Sequence, residues 1–482
     1  MGSEPLFPLH HRWEVMPLGE VCRRGGGNVQ TGPFGSQLHA SDYVSDGIPS
    51  VMPQNIGDNK ILYTGIAKIT REDAERLSKY RMREGDIVYS RRGDVERRAL
   101  VRKTEDGWLC GTGCLRIRFG DEVVYPRYAA HYLGHPSVRE WIVRHAHGAT
   151  MPNLNTTILS ELPFVLPPWS AQVLIGDAIE AYDRKLDLNR RINQTLEAMA
   201  QAIFQSWFVN FDPVKAKVAA IQEGRDPLRA AMTAVSGKAD AELDALPPEQ
   251  YEQLAATAAL FPGEMEASEL GEIPKGWSHK ALLQLTDKIG SGSTPRGGKE
   301  VYLEEGVALI RSQNVYDSLF VWDGLARISD KAAAQLKGVT VQEEDVLLNI
   351  TGASILRTCV VEPDVLPARV NQHVAIIRAK AGVPPRFIHM HLLRPDIKNY
   401  LLGLNAGASR EAITKAHIES LVLLTPGPEL LSAFQTAISP LFRQVHCLTR
   451  QMRALGELRD TLLPKLLSGE LLVADAIAEA VA

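Results

Sequence analysis

Apolar residues recur at Leu431, Phe434, Ile438, Leu441, Val445, Leu448, Met452 and Leu455, in alternating steps of three and four. That spacing is a heptad seam and predicts a long helix that lays one apolar stripe against another helix. The same register occurs earlier in the chain as Gln172, Ile175, Ile179, Tyr182, Leu186, Asn189, Asn193 and Leu196. Three of these seam positions are polar. A buried seam asparagine costs stability and fixes register or partner; one set slightly off the seam is solvated, and the pattern leaves both open. Pro167-Pro168 and Pro426-Gly427-Pro428 precede the two stretches, where a helix start tolerates proline. Each helix is expected to run about 40 residues, roughly 60 Å at the usual rise per residue.

Ahead of each helix the pattern changes. Short β-type runs (Asp86–Tyr89, Leu115–Ile117, Asp345–Leu348, Val374–Ile377) alternate with Gly and Pro punctuation, and short helical patterns follow at Tyr128–Leu133 and Phe387–Leu393. Each stretch reads as an α+β globular domain of ordinary size. The two are copies. Gly47, Gln54, Asn55, Asp86, Gly93, Arg98, Gly148, Leu162 and Pro167 recur as Gly306, Gln313, Asn314, Asp345, Gly352, Arg357, Gly407, Leu421 and Pro426, each 259 positions later. So long a period belongs to a duplicated domain with its appended helix, not to a solenoid. The expected layout is a first domain at 1–165, a helix at 166–212, a connector at 213–275, a second domain at 276–425, a second helix at 426–473 and a tail at 474–482. The fold class is α+β: two tandem globular domains, each followed by a long helix, the two helices pairing antiparallel with pseudo-two-fold symmetry.

Composition adds limits. The 482 residues carry 45% hydrophobic and 23% charged side chains, ordinary for a soluble globular protein. No long uncharged apolar run predicts a membrane span, the N-terminus lacks a secretory pattern, and five cysteines without metal-type pairing suggest reduced thiols in the cytoplasm. The net charge of −4 is concentrated in residues 215–275, where 11 acidic side chains outnumber 6 basic ones. Any affinity for nucleic acid must therefore come from local basic patches elsewhere.

The run NQTLEAMAQAIFQSWFVNF at Asn193–Phe211, continuing into DPVKAK, resembles the central conserved region of type I restriction–modification specificity subunits. RDTLLPKLLSGEL at Arg459–Leu471 does so at the end of the second copy. WEVMPLGEV at Trp13–Val21 and GEIPKGW at Gly271–Trp277 resemble the signatures that open each target recognition domain of that family. The resemblance implies a non-catalytic, DNA-binding subunit whose two domains each read half of a bipartite, asymmetric site on double-stranded DNA. It implies an antiparallel coiled coil as spacer, built here on Ile179, Tyr182, Leu186, Asn189, Asn193, Leu196, Ile438, Leu441, Val445, Leu448, Met452 and Leu455. It further implies two modification subunits that carry S-adenosylmethionine and methylate adenine. Where cleavage follows, two restriction subunits that use ATP and Mg join as well. No cofactor, metal or membrane partner is expected for this chain itself.

The residues leave two other readings open: a methyltransferase with its own active site, and a coiled-coil adaptor that binds protein. Against the first, the closest string to a methyltransferase Asn/Asp-Pro-Pro-aromatic motif is Leu166-Pro167-Pro168-Trp169, and leucine cannot accept the hydrogen bond of a target amine. Candidate DNA contacts begin with the arginine cluster Arg91, Arg92, Arg97 and Arg98, since Arg reads guanine and binds phosphate. Arg357 shares the offset of Arg98, which suggests a common phosphate contact or internal ion pair. Arg91 and Arg92 face Ile350 and Thr351 in the other copy, so they are the better readers of sequence. Gln54-Asn55 and Gln313-Asn314 are shared and so expected to be structural or phosphate-binding, whereas Arg311 and Ser312 differ from Met52 and Pro53. Thr31 and Ser36, in one Gly-rich loop, and Ser293 and Arg296, in another, suit phosphates or merely tight turns. Gln372 and His373 complete the set.

Overall fold

The β-runs of each copy pair into two four-stranded sheets of the same order. The computed structural model describes residues 4–11, 13–148, 152–269, 271–295, 298–404 and 412–471. The chain divides into two units, one of residues 1–190 with 450–482 and one of residues 191–449.

In the first unit an antiparallel sheet runs in the order Gly26–Thr31, Cys114–Gly120, Ile87–Ser90, Arg98–Leu100. A second sheet runs Tyr43–Val44, Ala67–Ile69, Ile48–Val51, Leu109–Cys110, its last pairing parallel. A ribbon of Glu14–Pro17 against Pro163–Leu166 joins the ends of the domain. Side chains alternate across a strand, and here both faces are covered. Ile87, Tyr89, Leu115 and Ile117 pack with Leu18, Tyr128 and Tyr132 of the helices. Val88, Ala99 and Cys114 pack with Val51, Met82 and Cys110 on the other side. Burial on both faces explains why Ile87-Val88-Tyr89 is an unbroken apolar run, whereas in Cys114–Gly120 the apolar positions alternate with Arg116, itself buried, and Arg118.

The second unit repeats this with Thr286–Ser291, Val374–Ala379, Val346–Asn349 and Thr358–Val360 in one sheet. Its other sheet holds Tyr302–Leu303, Ala326–Ile328, Val307–Ile310 and Ala368–Val370, and its closing ribbon pairs Ser278–Ala281 with Val422–Thr425. Val346, Leu348, Ala375 and Ile377 face Ile388 and Leu392, while Leu347, Cys359 and Ile376 face Ala308, Ile310 and Val370.

The heptad stretches form helices of 37 residues, Trp169–Gln205, and 41 residues, Pro428–Ser468. Within the first unit, Arg459 Nη1 lies 2.8 Å from Asp183 Oδ1, and Asn189 Nδ2 donates to Gln451 Oε1 at 2.8 Å. Ascending residues on one helix meet descending residues on the other, so the segments run antiparallel there. Within the second unit, Asn193 Nδ2 donates to Thr449 Oγ1 at 3.1 Å and Phe204 packs near Phe434, again in the antiparallel sense. Asn189 and Asn193 are buried, which decides between the two readings of the seam. Gln172 is buried too, but it bonds Tyr125 N and Pro167 O and so docks the helix onto its own domain.

The first long helix ends in a π turn, Ser206–Asn210, and a left-handed Phe211 at φ 59°. Around it Phe204, Trp207, Phe208, Phe261, Trp277, Phe387 and Phe434 form one apolar cluster. The acidic connector is folded: helices Asp212–Gln222, Pro227–Ser236, Asp240–Leu243 and Pro248–Ala259 enclose Ala231, Met232, Leu243 and Ala258. Among the described residues no helix is long and apolar enough to cross a membrane.

Candidate nucleic-acid interface

Two residue pairs common to both copies, Asp86/Asp345 and Asn55/Asn314, serve the scaffold. Asp86 accepts from Arg118 Nε at 2.8 Å and Nη2 at 2.6 Å, and from the Arg83 backbone N–H. Asp345 repeats this with Arg378, both contacts at 2.7 Å, and with Gln342 N. Each buried carboxylate thus holds a turn against a strand, and two-point arginine pairing gives it fixed geometry. Asn55 and Asn314 are likewise buried; their amides bond Met52 N and Leu62 O in one copy, Arg311 N and Val321 O in the other. Gln54 and Gln313 are exposed beside them.

The copies diverge in the hairpin that follows. Strands Ile87–Ser90 and Arg98–Leu100 are joined by residues 91–97, whereas Val346–Asn349 and Thr358–Val360 are joined by residues 350–357, one residue more. Tyr89 opposes Arg98, while Leu348 opposes Thr358. The offset is therefore 260 from the hairpin through the next strand, where Ile87 opposes Ile117 and Val346 opposes Ile377, and is 259 again where helices open at Pro126 and Pro385. Ser90 N donates to Arg97 O just as Asn349 N donates to Arg357 O, so Arg357 corresponds to Arg97.

This corrects the pairing of Arg98 with Arg357 and removes Arg98 from the DNA candidates. Its guanidinium is 8% exposed, donating to Ala130 O at 3.1 Å and to Asp58 Oδ1 at 3.0 Å. A phosphate or base cannot reach it. Burial pushes the Asp58 carboxyl up, but Arg98 outweighs that and holds it below its ordinary range.

The rest of the first cluster sorts by environment. Arg97 is exposed and ion-paired with Asp94. Arg91 is half-buried with its guanidinium 5.8 Å from the ring of Phe34, itself 54% exposed. Arg92 is exposed, with no ion-pair partner among the described residues. Thr31 closes a strand and Ser36 is exposed in the loop beyond it. Between them Gly32 is forced by packing, since a Cβ would lie 2.0 Å from Gly111 O; Gly292 in the other copy would meet Val370 O at 1.7 Å. One glycine in each Gly-rich loop is thus there for close backbone approach. Ser293 is exposed, and Arg296 lies outside the described residues, as does Gly407.

In the second domain the structure gathers the candidates. A cleft of about 380 Å³ is lined by Ser312, Tyr316, Thr351, Ser354, Arg357 and His373, among others. Buried Asn349 pins both rims, donating to Ser312 O at 2.9 Å and to Ser354 Oγ at 3.2 Å. Arg357 stacks on Tyr316, 4.3 Å from the ring centroid. A polar chain runs from Thr294 Oγ1 to Gln372 Oε1 at 2.7 Å, Gln372 Nε2 to His373 Nε2 at 3.0 Å, and His373 Nδ1 to Thr351 Oγ1 at 2.5 Å. Arg311 instead turns to Gly324 O at 2.6 Å. Tyr316, Thr351 and Ser354 were not among the sequence candidates; Thr351 was signalled only as the counterpart of Arg92. A larger groove of about 550 Å³ lies beside Gly19, Arg23 and Thr156, and none of the candidates is among its lining residues. Among the described residues no cluster of His, Cys, Asp and Glu could hold a metal ion.

Comparison with known proteins gives a consistent result. A family profile described as "Type I restriction modification DNA specificity domain" matches residues 11–198. The HindI specificity subunit of Haemophilus influenzae is 30% identical over 446 residues, covering 88% of this chain and 95% of that protein. The MjaIX specificity subunit of Methanocaldococcus jannaschii is 21% identical over 466 residues, covering 96% and 94% respectively. Among solved structures, the S subunit of a type I restriction–modification system from M. genitalium superposes with a TM-score of 0.55 at 13% identity, covering 96% of this chain and 99% of that one. That last likeness is one of fold.

Proposed function

The chain belongs to the specificity subunits of type I restriction enzymes, and from that premise we propose that its two α+β domains each read one half of a bipartite, asymmetric site on double-stranded DNA. The observation that carries this is the division within the repeat. Asp86/Asp345 and Asn55/Asn314 do the same structural work in both copies, while the hairpins at residues 91–97 and 350–357 differ in length and chemistry. Two half-sites of different sequence call for a shared frame with unshared readers.

In this reading the subunit is non-catalytic. Two modification subunits carry S-adenosylmethionine and methylate adenine, and two restriction subunits, with ATP and Mg, act where cleavage follows. The long helices act as a coiled-coil spacer, and buried Asn189 and Asn193 favour one register because an unpaired buried amide is costly. Lengthening both helices by one heptad should then change the number of unread base pairs and leave both half-sites as they were. Sequencing of methylated sites in cells carrying the complex reads this directly. A change in the half-sites themselves would refute the spacer role, and adenine methylation by the purified chain alone would refute the division of labour.

A further inference from the structure

We propose that the half-site read by the second domain contains a guanine, contacted in the major groove by Arg357 with the Thr351 hydroxyl beside it. The inference rests on the reading of these domains as DNA-recognition modules, and adds which base this cleft selects.

Hydrogen-bond polarity in the cleft selects the base. The Arg357 guanidinium carbon lies over the Tyr316 ring, 4.3 Å from its centroid, which anchors the group by cation–π attraction and leaves its N–H groups without a hydrogen-bond acceptor among the described residues. No carboxylate among the described residues is paired with it, and no acidic side chain lines the cleft. The polar chain behind Thr351 sets a second donor. The hydroxyl of Thr294 donates to the Gln372 carbonyl oxygen, and the Gln372 amide donates to His373 Nε2. In a neutral ring the proton then sits on Nδ1 and is donated to Thr351 Oγ1. With an acceptor position of Thr351 filled, its own O–H is left to point at the cleft. These assignments follow from the bonding pattern, as such tautomers must.

A cleft that offers donors fits the base whose major-groove edge offers two acceptors. Guanine presents N7 and O6; adenine and cytosine each present an amino group there, which would meet donor with donor. Arginine is also the side chain whose fork matches that pair. The first domain is not built this way. Its counterpart of Arg357 is Arg97, tied to Asp94. The position of Tyr316 is occupied by Gly57, and that of Thr351 by Arg92. The stacked arginine and its relay-fed neighbour are particular to the second half-site.

The test uses the full chain assembled with its modification subunits. Methylated sites are mapped for the wild type, for Arg357→Ala, and for Thr351→Val, which keeps the shape and removes the hydroxyl. Arg357→Ala should lower the preference for guanine at one position of one half-site roughly 5- to 150-fold, the range of a good bidentate base contact. Thr351→Val should lower it less, in the same half-site, and the other half-site should stay unchanged for both. A second arm needs no variant: the wild-type complex is given duplexes with 7-deazaguanine at each guanine of the motif in turn, and one such position should be methylated poorly. The proposal is overturned if Arg357→Ala lowers methylation uniformly with the motif intact, which marks a phosphate contact. It is equally overturned if the relaxed position is not guanine, or if no 7-deazaguanine is discriminated. A bipartite motif that survives Arg357→Ala unchanged removes the guanine assignment alone. A wild-type complex that methylates with no bipartite motif removes the underlying reading as well.

Discussion

His389 and His391 sit on the helix Pro385–Leu393 with both rings buried. Burial first, and then the neighbouring cations Arg386 and Arg394 respectively, hold each well below the ordinary histidine range, at about 3. His389 donates from Nε2 to Thr358 O at 3.1 Å. The ring of His391 stands edge-on to Phe387 and Phe204, at 4.6 and 4.8 Å between centroids, with neither nitrogen hydrogen-bonded. Protonation would place a charge in that aromatic cluster. In the unfolded chain each ring titrates near 6.5, so between that value and about 3 the unfolded state binds one more proton per histidine. The stability is complete above the unfolded pKa and is lost as the pH falls from it, by about 1.4 kcal/mol per unit for each ring. At pH 5 that amounts to about 2 kcal/mol each, or about 4 kcal/mol for the pair. His391→Leu removes one titrating group at nearly constant volume. Urea unfolding of the full chain, followed by tryptophan fluorescence at pH 7.5 and 5.0, should show the variant losing about 2 kcal/mol less than the wild type. The carboxylates titrate alike in both proteins, so the difference isolates the histidine. An identical acid loss in the two would refute a neutral, desolvated His391.

Two further outcomes follow from the packing. Arg98→Ala strands Ala130 O and opens a gap beside Tyr89, so it should cost about 2–4 kcal/mol in thermal or urea melts while leaving the methylation motif as it was; a changed motif would return Arg98 to the DNA surface. Phe434→Ala empties the centre of the cluster formed with Phe204, Trp207 and Phe208 and should cost about 3–5 kcal/mol, read by differential scanning calorimetry; a loss below about 1 kcal/mol would contradict that packing.

The elements with a long period were legible in the sequence. Seven-residue spacing from Leu431 to Leu455 survives into a single helix because every turn of that helix presents the same face. The duplication was legible for the same reason: Asp86 and Asp345 recur because one buried carboxylate must hold one turn in each copy. What pattern could not supply was the fate of polar groups whose partners lie far along the chain. Asn189 could be solvated or buried until Gln451 stood opposite, and Arg98 could be a DNA contact until Asp58 and Ala130 O closed around it. The His373 relay assembles from three separate segments, residues 294, 351 and 372–373, and no local spacing announces it.

The one-residue difference between the hairpins leaves the strand order of the two domains alike. Inserting a residue within a strand would flip every later side chain to the other face. Here the extra residue falls between strands, and the flanking pairs survive: Val88 opposite Ala99, Leu347 opposite Cys359. The core registers no change. The loop absorbs it, and the last loop residue shifts from an arginine neutralised by Asp94 to one stacked on Tyr316. Arg98 and Arg357 share a residue type and an offset, yet one is interior scaffold and the other lines an open cleft. Hydrogen-bond register, not residue identity, therefore tells which positions of the two copies correspond. On the proposed reading, a change in hairpin length can exchange one loop residue for another without disturbing the sheet that presents it.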